Sequence, residues 1–124
     1  MSKKALVVDD DIKVVLIVEK VLKDLGFEVE SAGDGKIAFD MIKKNKPDLL
    51  ISDMLIPGIH GIELSQMIKD DPELKNIAVI LMTAVYKKAD YMSSSMDSKA
   101  DAFVDKPIDV KTLISVVSKL RDWS

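Results

Sequence analysis

The chain has 124 residues, 48% hydrophobic and 31% charged, with a formal net charge of -3 and no cysteine. That length suits one domain, expected to span residues 1–124 and to bury about two thirds of its unfolded surface. The acidic balance argues against direct nucleic-acid binding, no apolar run approaches the roughly 20 residues of a membrane span, and the four apolar residues after Lys4 are too few for a signal peptide, so a cytoplasmic protein is expected.

In chain order, an apolar run at residues 5–8 predicts the first strand, closed by Asp9 and Asp10. Val14, Val18, Val21, Leu22 and Leu25 then recur at helical spacing up to Gly26, a residue suited to a left-handed helix cap. Residues 27–31 read as a short second strand, and Asp34 can cap a helix carrying Ile37, Ala38, Met41 and Ile42 that must finish before Pro47. The third strand, residues 49–52, is closed by Asp53. Ile62, Leu64, Met67 and Ile68 mark a third helix ended by Asp71 and Pro72. A fourth strand at residues 77–82 is followed by Thr83, then by a weaker helix over about residues 87–98. In it, Ser93, Ser94 and Ser95 have modest helix propensity. The last strand, residues 102–104, leads to Lys106 and Pro107, and Asp109 caps a final helix with Val110, Leu113, Ile114, Val117 and Leu120 on one face.

Five strand–helix units of this length predict an α/β fold, a (βα)5 doubly wound parallel five-stranded sheet with helices on both faces. By analogy with the flavodoxin-like class, the strand order is 2-1-3-4-5, and Asp9, Asp10 and Asp53 then meet at the switch point beyond the strands' carboxyl ends. Three carboxylates there suit a metal. Without cysteine, oxygen ligands must dominate, which makes Mg2+ the leading candidate. A carboxylate can attack phosphorus once a cation offsets its repulsion from the phosphoryl oxygens, and Lys106 supplies a second positive charge. The Lys106–Pro107 bond is of the type for which cis costs only about 0.5–1 kcal/mol, and that bend would aim the ammonium inward.

The ordered set resembles a receiver domain of the two-component response regulators, of the CheY type. The matching stretches are residues 6–10 (LVVDD), residues 47–53 (PDLLISD), Pro57-Gly58 with Gly61, Thr83-Ala84 and Lys106-Pro107. The resemblance implies that Asp53 accepts a phosphoryl group from a phosphohistidine on a sensor histidine kinase or a phosphotransfer protein. Asp10 and Asp53 would bind Mg2+ directly, Asp9 through a water, and the Leu55 carbonyl would complete the protein's ligands. Thr83 would hydrogen-bond the phosphoryl group and Lys106 would pair with it. Phosphorylation would draw Thr83 inward and let Phe103 reorient, changing a surface made by the fourth helix, last strand and last helix. That surface would serve a downstream target, an output domain or a phosphorylation-dependent homodimer. Leu55 and Val85 fall where such domains tune hydrolysis. Such a protein is no classical enzyme, though it catalyses its own phosphoryl transfer and slow autodephosphorylation. A non-glycine residue, Ser98 or Lys99, falls where receivers commonly have glycine. The resemblance is compatible both with a domain that stands alone and with one that opens a longer regulator.

Other readings remain beside this one. Asp11 reads as a helix cap and His60 as an exposed loop residue, while Trp123 either packs at the terminus or faces a partner. Gly33, Gly35 and Ala38 imitate a dinucleotide motif, but Asp34 would oppose a pyrophosphate. Asp9 and Asp11 also resemble the nucleophile and acid of haloacid-dehalogenase-type phosphatases, with Asp101 and Asp105 as a loose later pair. Lys13 departs from that motif, and Asp53 would have no task. A pseudo-receiver that binds without cycling phosphate is the third class.

Overall fold

A computed structural model describes residues 3–84 and 98–123. Val85 and the predicted helix over residues 87–98, with its serine run, lie outside the described residues save for Ser98. The strands are β1 (Lys3–Val8), β2 (Phe27–Ala32), β3 (Leu49–Asp53), β4 (Ala78–Ala84) and β5 (Ala102–Lys106), and the helices are α1 (Ile12–Asp24), α2 (Gly35–Lys44), α3 (Gly61–Asp70) and α4 (Val110–Leu120). The sheet is parallel throughout, in the order β2-β1-β3-β4-β5. This is the expected doubly wound architecture.

Alternation along each strand sorts the core into two layers. Ala5 and Val7 of β1, Leu49 and Ile51 of β3, and Ala78, Ile80 and Met82 of β4 pack with Val18 and Leu22 of α1 and with Leu113 and Val117 of α4. Leu6, Val8, Leu50, Val79 and Leu81 point the other way, onto Ala38 and Ile42 of α2 and Leu64 and Ile68 of α3. Because both faces are covered, the central strands read as continuous apolar runs rather than alternating ones.

The helix signals hold at atomic detail. Asp11 accepts from the Lys13 N–H at 2.9 Å, Asp34 from the Ile37 N–H at 2.8 Å and Asp109 from the Thr112 N–H at 3.2 Å, and Gly26 takes φ +95° beyond the end of α1. Lys99 adopts φ +63°, a conformation that penalises any side chain.

Strand ends depart from the apolar runs. Asp53, Thr83 and Lys106 lie inside strands, since the β4–β5 ladder continues through the pairs Thr83–Asp105 and Ala84–Lys106. Ile77 instead belongs to a turn, its N–H bonded to the Leu74 carbonyl.

At the amino-terminal edge, Trp123 packs edge-on against Phe27 with ring centroids 5.1 Å apart and donates its indole N–H to the Val117 carbonyl at 2.8 Å. The terminal-packing alternative for Trp123 is therefore the one observed. On the same edge the Lys69 ammonium, mostly buried, bonds the Ile77 carbonyl and Asp101, each at 2.7 Å.

Ser65 of α3 is fully buried, and its hydroxyl has no partner among the described residues. An unsatisfied buried hydroxyl is costly, and alanine is the better helix former. Ser65→Ala should therefore stabilise the fold by about 1 kcal/mol, read as a melting temperature higher by about 3–5 °C. An unchanged or lower value would mean the hydroxyl is satisfied.

Candidate phosphoryl-acceptor and metal site

Strand parity assembles the site. Asp9 continues the side of Ala5 and Val7, Asp53 that of Leu49 and Ile51, and Lys106 that of Ala102 and Val104, so all three leave the sheet on the α1–α4 face at its carboxyl edge. β1 and β3 are neighbours, and a carboxylate oxygen from each of Asp9, Asp10 and Asp53 lies within 4.8 Å of the others.

Lys106 stands between two of these acids, its Nζ 2.7 Å from Asp9 Oδ2 and 3.2 Å from Asp53 Oδ2. Asp9 Oδ1 accepts the Asp11 N–H at 2.9 Å, so both oxygens of this fully buried carboxylate are engaged. Burial pushes the Asp53 carboxyl up from its ordinary value. Lys106 pulls it down, the Asp9 charge adds to the rise, and a backbone hydrogen bond from Leu55 offsets part of it. Burial works against the charge on Lys106, but its hydrogen bond to Asp9 and the charges of Asp53 and Asp9 outweigh it and hold the ammonium above its ordinary value.

A cluster of three carboxylates suits a hard cation with few protein ligands, so the donor set fits Mg2+. Asp10 is exposed at the rim, whereas Asp9 is committed to Lys106 and to the Asp11 N–H.

Thr83 is buried at the end of β4, one residue beyond Met82, which pairs with Asp53. Its hydroxyl is directed at the Ala84 carbonyl, 3.5 Å away. Phe103, 39% exposed on the edge strand β5, lies outside the cluster. Leu55 is half-buried in the loop after β3, and the Lys106–Pro107 bond is cis.

The rival acids do not join. Asp101 bonds Lys69 and the Val79 N–H at the opposite edge of the sheet, and Asp105 alternates away from Lys106. His60 is an exposed residue at the start of α3 with no side-chain capping bond.

Two glycines have tasks that the sequence reading did not assign. The Gly35 N–H donates to the Pro57 carbonyl at 2.9 Å, so the first turn of α2 is covered by the loop after β3 and is closed to a pyrophosphate. Gly61 lies against the Asp53 carbonyl, where an added Cβ would stand only 2.0 Å from the oxygen. A glycine inside a helix already capped by Asp34 was the available signal for Gly35, because such a residue has a packing reason when it has no turn to make.

The profile of the response regulator receiver domain matches residues 5–118. The chain belongs to the receiver domains of two-component response regulators. This receiver is 36% identical over 120 residues to the response regulator PleD of Caulobacter vibrioides, covering 97% of the chain but only 26% of that protein, so it spans about a quarter of PleD's length. It is 35% identical to the sporulation initiation phosphotransferase F of Bacillus subtilis, covering 96% of the chain and 94% of that protein. Among solved structures, the signal receiver domain of a histidine kinase from Syntrophus aciditrophicus superposes with a TM-score of 0.88 at 31% identity, covering 96% of this chain and 89% of the other. No helix among the described residues is long and apolar enough to cross a membrane.

Proposed function

We propose that this receiver accepts a phosphoryl group on Asp53, with Mg2+ as cofactor, from the phosphohistidine of a sensor kinase or phosphotransfer protein, in the cytoplasm. The observation that carries the reading is the convergence of three carboxylates within 4.8 Å beside a lysine that contacts two of them. Mg2+ held by Asp10, Asp53 and the Leu55 carbonyl, with Asp9 behind a bound water, would supply the charge that lets a carboxylate approach phosphorus. An Asp53 oxygen attacks the phosphorus, the bond to the donor nitrogen breaks, and the imidazole departs with its electron pair. Lys106 faces the transferred oxygens, and Thr83, drawn inward, donates its hydroxyl to them.

Exposed apolar side chains support protein partners. Ile12 and Leu16 lie one turn apart on α1, 65% and 58% exposed, just past Asp10, and offer a kinase or phosphotransfer protein a hydrophobic seat beside the acids. Phe103 of β5 and, separately, Val110 and Ile114 of α4 are exposed apolar side chains too, suited to a downstream target, an output domain or a second phosphorylated copy.

The test is phosphopeptide mapping after incubation with acetyl phosphate and Mg2+. Phosphate on Asp53 upholds the reading, phosphate on Asp9 would make the protein a haloacid-dehalogenase-type enzyme, and phosphate on neither would make it a pseudo-receiver.

Leu55 and Val85 are aliphatic, so neither can hydrogen-bond a water lined up with the phosphorus. Replacing them with Asn and Glu should speed loss of phosphate, about tenfold for each 1.4 kcal/mol of barrier removed. A decay time course in excess Mg2+ measures this, and equal rates in the wild type and the double variant would remove both side chains from control of hydrolysis.

A further inference from the structure

We propose that Gly35 and Gly61 are positioning residues for the acidic site, clamping the loop of residues 54–60 from both sides and thereby fixing Asp53 and the Leu55 carbonyl. The inference rests on the proposed role of those two groups. A Cβ built on Gly61 meets the Asp53 carbonyl oxygen at 2.0 Å and both the Asp53 carbonyl carbon and Met54 Cα at 3.0 Å. The Gly61 N–H also donates to the Met54 carbonyl at 3.0 Å, so α3 starts directly on the backbone of the acid. On the other side, a Cβ on Gly35 meets the Ile59 carbonyl oxygen at 1.8 Å and its carbon at 2.7 Å, while the Gly35 N–H holds the Pro57 carbonyl.

Gly58 takes φ +79° between them, with ordinary van der Waals contacts of 3.4 Å or more around its own Cβ position. Neither Gly35 nor Gly61 has a positive φ, so what they supply is space rather than a dihedral angle. The closest atoms to either Cβ position are backbone carbonyl atoms, and the side-chain atom below 3.0 Å, Ile59 Cβ at 2.9 Å from that of Gly35, is fixed to the backbone, so no rotamer change can relieve the contact. Since Cβ contacts below 3.0 Å are essentially unknown, a methyl group at either position would drive a carbonyl back by about 1 Å. Gly33, with no atom of the described residues within 4 Å of its Cβ position, provides an internal control two residues from Gly35.

Displacing a reacting group by about 1 Å can cost about 100-fold in rate, and disturbing the supports of metal ligands about 10–100-fold in affinity. The experiment measures Mg2+ affinity by calorimetry and initial rates of labelling by acetyl phosphate at saturating Mg2+, at a temperature where circular dichroism shows each variant folded. Gly33→Ala should match wild type in both. Gly35→Ala should lose about tenfold in Mg2+ affinity. Gly61→Ala should lose at least about tenfold in affinity, and also about tenfold or more in labelling rate after Mg2+ is saturated. Folded Gly35→Ala and Gly61→Ala proteins with wild-type affinity and rate would overturn the proposal.

Should the added methyl groups prevent folding, Asp34→Ala decides the matter. It adds no atom, removes the cap that orders the first turn of α2, and should fold with Mg2+ affinity reduced by about threefold. Unchanged affinity in that variant overturns the clamp. The wild-type titration and phosphopeptide map judge the reading of the site separately from these comparisons.

Discussion

Asp53→Asn should take up no phosphate from acetyl phosphate in Mg2+, whereas the wild type gains one phosphoryl group per chain. Asn keeps the size and one oxygen of Asp but is far too weak a nucleophile toward phosphorus, so the loss should be complete. The same substitution should raise the melting temperature of the metal-free protein at neutral pH. Burial raises the Asp53 carboxyl above its ordinary value despite Lys106, so the fold favours the protonated acid. The stability this group contributes is fully present below the unfolded value and is lost as pH rises through the folded value. At neutral pH the ionised group therefore costs stability, and a neutral isostere removes that cost. Melts in a chelator should also show a weaker pH dependence in weak acid for the variant. Labelling of the Asn protein at the wild-type rate would reassign the nucleophile, and a lower neutral-pH melting temperature would mean that the Lys106 contact outweighs burial.

Lys106→Met should be strongly destabilising. Its Nζ is the charged partner of Asp9, whose side chain is completely buried and, among the described residues, keeps only the Asp11 N–H once the ammonium is gone. Removing one member of a buried pair leaves the other charge uncompensated, which typically costs about 3–5 kcal/mol. The side chain of Lys106 is 20% exposed, so water screens part of this and a loss of about 2–4 kcal/mol is expected. Mg2+ should recover much of the loss by supplying the missing counter-charge, making the variant's melting temperature more responsive to Mg2+ than the wild type's. Labelling by acetyl phosphate should fall as well, even at saturating Mg2+. Chemical denaturation with and without Mg2+ measures the first two effects, and a variant as stable as wild type in chelator would show that Asp9 finds another partner.

The sheet was legible because its strands carry apolar runs bounded by informative residues, with Asp9, Asp53 and Lys106 at the carboxyl ends of β1, β3 and β5. Strand order rested on analogy, since nothing local in residues 5–8 or 49–52 specifies that β1 and β3 are neighbours. Local chemistry gave the caps at Asp11, Asp34 and Asp109, because each acts within three residues of its partner. What escaped was long-range. Lys69 reaches Asp101 and Arg121 donates to the Asn76 carbonyl, contacts that exist only after the chain has folded and that no periodicity encodes. The spacing of the helical apolar residues put Ile37, Val110 and Ile114 on the apolar stripes although all three are exposed, because hydrophobicity alone does not distinguish a core side chain from a docking one. Gly35 matched a nucleotide motif for a local reason, yet its actual demand is for room against a loop more than 20 residues away.

Trp123, the sole tryptophan, is anchored on Phe27 and Val117 at the edge of the sheet opposite Asp53. The protein's natural fluorophore is thus a witness to unfolding of the α4–β2 end and stands remote from events among the acids. A spectroscopist following Mg2+ or phosphate by indole emission would see little, and silence in that channel would carry no information about binding. A reporter ring grafted beside the acids, on the exposed surface of α1, would bring the two processes into one signal.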